Sequence, residues 1–210
     1  MAPESGPRRV SVYNIANALT ALRLLLVPVF VWLLLHQDGR SDAWRYAAAG
    51  VFAIAVITDK FDGDIARARG LITDFGKMAD PIADKALMGS ALIGLSLLNL
   101  LPWWVTIVIL VRELGITLLR FVVIRHGVIP ASRGGKLKTL VQSVAIWCYI
   151  MPWDGVFGSI RWWLMGLAVA LTVLTGLDYV ARAIRLVRNA DDARAGTAAD
   201  GEHAVERDAG

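Results

Sequence analysis

Six aspartates crowd one stretch of a very apolar chain: Asp59, Asp62, Asp64, Asp74, Asp80 and Asp84. Four of them fall into a fixed spacing, D-x2-D-G-x2-A-R-x8-G-x3-D-x3-D. It runs from Asp59 through Asp62, Gly63, Ala66, Arg67, Gly76 and Asp80 to Asp84. At about 100° per helical residue, Asp59, Asp62, Gly63 and Ala66 share one face, and Gly76, Asp80 and Asp84 form one stripe. Asp64 and Asp74 lie off the pattern and read as solvated surface acids. Carboxylates held together in a partly dehydrated pocket cannot all ionise unless positive charge sits among them. Oxygen donors with no His or Cys nearby suit a hard cation, Mg²⁺ or Mn²⁺, and four of them suit a pair of ions better than one. The small residues Gly63, Ala66 and Gly76 leave backbone uncovered for a bulky ligand, although helix packing alone also favours small residues there. Phosphate oxygens completing the coordination would make this a site for two-metal phosphoryl transfer.

Helices must carry these acids, and the composition says where those helices lie. The chain has 210 residues, of which 56% are hydrophobic, and its mean hydropathy is +0.54. That is too apolar for an ordinary soluble domain. Apolar runs predict an all-α, polytopic membrane protein with six transmembrane helices: Asn17–Leu35, Ala43–Ile57, Lys77–Leu98, Trp103–Ile124, Leu140–Met151 with its flanks, and Ile160–Tyr179. The acidic stretch extends the second and third, and the short connection Ala68–Phe75 makes them antiparallel neighbours whose acidic stripes can face each other in a polar cavity. The domain organisation expected is a polar tail over 1–9, a six-helix membrane domain over 10–188, and a disordered tail over 189–210, poor in large apolar side chains. The first apolar run lacks a small-residue cleavage site and reads as a genuine span. Cys148 reads as a packing residue and His203 as inert; no internal repeat is evident.

Charge gives orientation. The net charge is +4. Arg8 and Arg9, then Arg67, Arg69 and Lys77, then Arg125, Arg133, Lys136 and Lys138, then Arg182, Arg185 and Arg188 fall in alternate connections and at both ends. The positive-inside rule then places both termini and the acids on the cytoplasmic side of a cell membrane. Trp32, Trp44, Trp103, Trp104, Trp147, Trp153, Trp162 and Trp163 map to the opposite half, as an interfacial belt would.

The run from Asp59 to Asp84 matches, without departure, the signature of the CDP-alcohol phosphotransferase family, and the chain resembles that family from about Asn14 to Arg188. The resemblance implies a six-helix membrane enzyme, usually a homodimer, with a dinuclear metal site open to the cytoplasm and inner leaflet. Such an enzyme transfers the phosphatidyl group of a CDP-linked lipid to an alcohol and releases CMP. It further implies that Asp59, Asp62 and Asp80 are metal ligands, that Asp84 is both ligand and general base, and that Gly63, Arg67 and Thr73 contact the cytidine diphosphate. Ala66 and Gly76, on the same faces, and Asn17, Thr20 and Arg23, at the end of the first span, are further candidates for binding the CDP-lipid.

"FGKMADPIADKALMGSALI", with its DP-x-A-DK run over Asp80–Lys85, looks most like the phosphatidylglycerophosphate synthases of that family. "NALTALRLLLVP", "VRELGITLLR", "GGKLKT" and "LTGLDYV" are similar to the same subgroup. The implied substrates are CDP-diacylglycerol and sn-glycerol 3-phosphate. An anionic acceptor needs cations, and the candidates are Arg112, Lys136, Lys138 and Lys85. Each has a plainer reading: Lys136 and Lys138 as positive-inside anchors, Lys85 as a partner of Asp80 or Asp84, and Arg112 paired with Glu113 or another helix. A cardiolipin synthase or a phosphatidylinositol phosphate synthase of the same family would share the chemistry. From another class, a divalent-cation transporter would place its acids near the bilayer midplane instead of at one mouth. No nucleic-acid partner is expected.

Overall fold

The structure is a computed structural model, and it describes residues 15–69, 74–123 and 133–208. Among the described residues the fold is all-helical, with six α-helices and no strand. They are α1 (Ile15–Leu35), α2 (Asp42–Arg69), α3 (Asp74–Leu97), α4 (Trp103–Val123), α5 (Arg133–Ile150) and α6 (Gly155–Asp208). Each expected span falls largely on its own helix. Two stretches are long and apolar enough to cross a membrane, Ala18–Gly39 and Gly158–Arg188, while the apolar stretch Leu137–Ile150 is shorter. The rest are interrupted by charge: Arg45 and Asp59 on α2, Asp80, Asp84 and Lys85 on α3, Arg112 and Glu113 on α4. In α6 the backbone stays helical through 189–208, where composition leads one to expect an unstructured tail.

The chain divides into two compact units. One comprises Met1–Thr106 and Gln142–Met165, the other Ile107–Val141 and Gly166–Gly210. In the first, α1 is the common neighbour of α2 and α3, and those two share a much smaller contact among the described residues. Small residues explain how closely α1 is held. Ala48 and Ala55 of α2 and Ala83 and Ala91 of α3 are fully buried, and Phe30 packs on Phe52 with ring centroids 5.5 Å apart. A Cβ on Gly94 would stand 2.8 Å from Leu34 Cδ2, so α3 approaches α1 only because that position is bare. Where lipid is the solvent, such close packing replaces the hydrophobic effect as the force between helices.

The turns are built from residues that accept positive φ. Gln37, Asp38 and Gly39 lie at φ 52°, 55° and 66°, which turns the chain from α1 into α2. Helix α3 ends in a Schellman motif: Asn99 is left-handed at φ 56°, Leu100 N–H donates to Leu95 O at 2.9 Å, and Asn99 N–H donates to Ser96 O at 3.1 Å. At the start of α2, Arg45 reaches the end of α5. Its Nη2 donates to Tyr149 O at 2.9 Å and Met151 O at 3.1 Å, and its Nε donates to Ile150 O at 3.0 Å. Pro152 supplies no donor, and of these carbonyls Met151 O also accepts from Trp153 N–H at 2.9 Å. Many large apolar side chains are left outward-facing, among them Leu25, Ile54, Phe121, Trp163 and Leu174. So much exposed apolar side chain is a surface for lipid, not water.

Candidate active site

Within the first unit, the acids are met by α1. Thr20 and Arg23 stand three residues apart, one turn of helix, and therefore on one face. Thr20 Oγ1 donates to Asp80 Oδ1. Arg23 Nη1 lies 2.6 Å from Asp59 Oδ1, and its side chain is 1% exposed against 42% for Asp59. A guanidinium that deeply buried is tolerable only because it is paired. One helix thus fixes the direction of a carboxylate on each of its two neighbours. Asp80, Asp84 and Lys85 are half-buried on α3, with the fully buried Ala83 between them. Pro81 sits inside α3 between the two aspartates, where its missing N–H leaves the carbonyl of Lys77 without its usual helical donor.

The donor set here is carboxylate and hydroxyl oxygen, which fits a hard divalent cation. Among the described residues, no three metal-ligating side chains form a complete group. Asp62, the fourth expected ligand, has its side chain outside the described residues. The same holds for Asn17, Gly63, Ala66, Arg67, Gly76 and Lys136, of which only the helical backbone is described, and Thr73 lies outside altogether.

Within the other unit, the acceptor candidates Arg112 and Lys138 share a partner. Arg112 Nη1 is 3.3 Å from Glu113 Oε1, and the buried Lys138 donates Nζ to the same oxygen. Arg112 Nη2 donates to Thr175 Oγ1 at 3.0 Å, and that hydroxyl donates in turn to Leu171 O. Gly176 makes room for this arginine: a Cβ there would lie 3.2 Å from Arg112 Cγ. Two cations on one carboxylate leave one formal positive charge. Of the readings open for Arg112, pairing with Glu113 is seen. Thr175 was not anticipated, and neither was the reach of Thr20 and Arg23 to the acids. The usable signal was their helical spacing on an otherwise apolar helix.

These features belong to a known class: the chain is a member of the CDP-alcohol phosphatidyltransferase family, whose sequence profile matches residues 13–174. That is a family of membrane-associated transferases of phospholipid synthesis which generally use divalent metals. A Mycobacterium tuberculosis (strain H37Rv) protein named probable phosphatidylglycerophosphate synthase is 56% identical over 185 residues, 87% of this chain and 88% of its own length. A Bacillus subtilis (strain 168) protein named CDP-diacylglycerol–glycerol-3-phosphate 3-phosphatidyltransferase is 35% identical over 187 residues, 81% of this chain and 95% of its own. A Streptomyces coelicolor protein named cardiolipin synthase (CMP-forming) is 34% identical over 209 residues, 89% of this chain and 94% of its own.

Proposed function

We propose that this protein transfers the phosphatidyl group of CDP-diacylglycerol to sn-glycerol 3-phosphate, giving phosphatidylglycerophosphate and CMP. The observation that carries this reading is the 56% identity, across 87% of the chain, to a relative bearing that activity in its name. The six helices form a multi-pass domain over 10–188, with the tails 1–9 and 189–210 and the acids on the cytoplasmic side, and the working form is a homodimer.

Asp59, Asp62, Asp80 and Asp84 would hold two divalent ions, Mg²⁺ or Mn²⁺. When bound, these neutralise the pyrophosphate and stabilise CMP as leaving group. The protein's own groups do the rest. Thr20 and Arg23 orient Asp80 and Asp59 and, with Asn17, Gly63, Ala66, Arg67, Thr73 and Gly76, border the nucleotide. Asp84 takes the proton of the acceptor hydroxyl as it attacks the lipid-bearing phosphorus. Arg112, Lys136, Lys138 and Lys85 bind the acceptor's phosphate, a dianion that point charges and a guanidinium fork both suit.

Full-length protein in detergent, given CDP-diacylglycerol, glycerol 3-phosphate and Mg²⁺, should release CMP. EDTA should abolish release, and Asp84→Asn should lose turnover while still binding a CDP nucleotide. The likeness to a cardiolipin synthase favours one second reading, with phosphatidylglycerol as acceptor. Turnover of phosphatidylglycerol well above that of glycerol 3-phosphate would select it.

A further inference from the structure

We infer that the first unit carries a second phosphate site, at the end away from Asp59, Asp80 and Asp84, and that its ligand is the phosphodiester of a phospholipid headgroup held by Arg161 and the hydroxyl of Tyr149. Tyr149 is fully buried, and its Oη has no hydrogen-bond partner among the described residues. Arg161 lies over the same ring, its Cζ 5.4 Å from the centroid. Its Nε is buried and likewise without a partner, and the guanidinium makes no hydrogen bond or ion pair among the described residues. The neighbouring Arg45 differs: its guanidinium is engaged by three carbonyls. A buried donor without an acceptor is costly, and the carboxylates at this end, Asp42 and Asp154, act on Arg45. Two such donors, with the guanidinium charges of Arg161 and Arg45 at the same end, call for an acceptor-rich anion, and phosphate oxygens are the strongest match.

Depth selects the source of that phosphate. Arg161 stands at the start of the membrane-crossing stretch Gly158–Arg188. Trp162 packs edge-on against Tyr149 at 5.8 Å, and both Trp162 and Trp163 are exposed, as aromatic side chains at a headgroup boundary are. A lipid would bring its phosphate to this level with its acyl chains along the exposed Ile160 and Trp163. The site is remote from the acids. Arg45, which bonds the Tyr149 carbonyl, and Asp59 are separated along α2 by about 21 Å of helix.

The test is thermal unfolding of the full chain in detergent, titrated with short-chain phosphatidylglycerol, diacylglycerol or inorganic phosphate. Phosphatidylglycerol should raise the melting temperature of wild type, and diacylglycerol should not. The midpoint of that titration should rise at least fivefold in Tyr149→Phe and tenfold in Arg161→Gln. Tyr149→Phe should also melt higher than wild type without lipid, because it removes a buried hydroxyl that only the ligand satisfies. Asp59→Asn should keep the wild-type lipid response. Equal midpoints in wild type and Tyr149→Phe overturn the inference, whether or not Arg161→Gln folds. So does a response lost in Asp59→Asn, which would put the lipid at the acids. A matching response to millimolar inorganic phosphate, lost in the same variants, would assign the site to a free anion and overturn the lipid.

Discussion

Arg45→Ala should cost this protein about 3 kcal/mol of stability while leaving its chemistry intact. The arginine spans from the first turn of α2 to the last carbonyls of α5, with donor distances of 2.9, 3.0 and 3.1 Å. Hydrogen bonds to a charged group contribute about 1.5–3 kcal/mol each when the abandoned partner stays dry. Arg45 is half-buried, so water reaches some of the freed carbonyls, Met151 O keeps the Trp153 N–H at 2.9 Å, and about 1 kcal/mol per bond is the appropriate figure. The sum corresponds to more than a hundredfold in the folding equilibrium, at about 1.4 kcal/mol per tenfold. Arg45→Met separates the two contributions of the side chain, because it keeps most of the stem and loses only the fork. Arg45→Lys restores one donor direction and should recover about 1 kcal/mol. Reversible unfolding in an SDS titration, followed by circular dichroism, measures all three. CMP release at low temperature should stay within about twofold of wild type, since the arginine is some 21 Å along α2 from Asp59. An Arg45→Ala protein within about 0.5 kcal/mol of wild type would show that the three carbonyls find other donors, and the clamp would be refuted.

Three further substitutions probe the polar contacts of the two units. Thr20→Val removes the hydroxyl that orients Asp80 and should lower kcat/KM for CMP release about tenfold, with Thr20→Ser restoring it; equal rates for Val and Thr would dismiss the contact. Glu113→Gln takes away the charge shared by Arg112 and Lys138; chemical unfolding should show a loss of about 2 kcal/mol, and KM for glycerol 3-phosphate should move more than kcat. Gly176→Val should displace the Arg112 stem and mimic Arg112→Ala in acceptor KM, with Gly176→Ala milder because the 3.2 Å contact needs only a few tenths of an ångström of give. Should Gly176→Val bind acceptor normally, the position of Arg112 does not matter.

The helices that carry the acids were legible because the chemistry proposed for them imposes a spacing. Helix-borne carboxylates that are to share a ligand recur at helical intervals, and on that spacing Asp59, Asp80 and Asp84 could be assigned to two helices from the sequence alone. Helix identity was legible for the same reason that it is in any apolar chain of this length. Helix neighbours were not. When every helix is apolar on most sides, periodicity does not say which pairs touch: among the described residues α1 neighbours both α2 and α3, while the apposition expected of their acidic ends falls largely on 61–78, whose side chains lie outside the described residues. The signals that would have told were small: bare Gly94 and the buried alanines of α2 and α3, each unremarkable in an Ala-rich sequence. Arg112 was ambiguous for another reason. An arginine within an apolar helix needs a partner, but sequence cannot rank an adjacent glutamate, a distant threonine and a substrate against one another.

The position of Arg23 bears on how many ions the proposed site takes. Four carboxylates carry four negative charges, and the buried guanidinium on Asp59 offsets one of them. With Arg67 and Lys85 assigned to the nucleotide and the acceptor phosphate, a single divalent ion would leave the four acids and Arg23 still net negative, facing a substrate whose pyrophosphate is itself an anion. That arrangement would repel the ligand it must bind, at a separation where unscreened charges interact by several kcal/mol. A second ion reverses the sign and makes the site attractive to pyrophosphate. In the proposed site Arg23 would therefore work beside the ions and not replace them. It aims Asp59, and its reach from α1 explains why a helix so apolar carries an arginine at all. Arg23→Met should consequently raise the Mg²⁺ concentration needed for half-maximal CMP release by about tenfold, the loss of roughly one charge-assisted contact. An unchanged Mg²⁺ requirement would confine Arg23 to holding helices together.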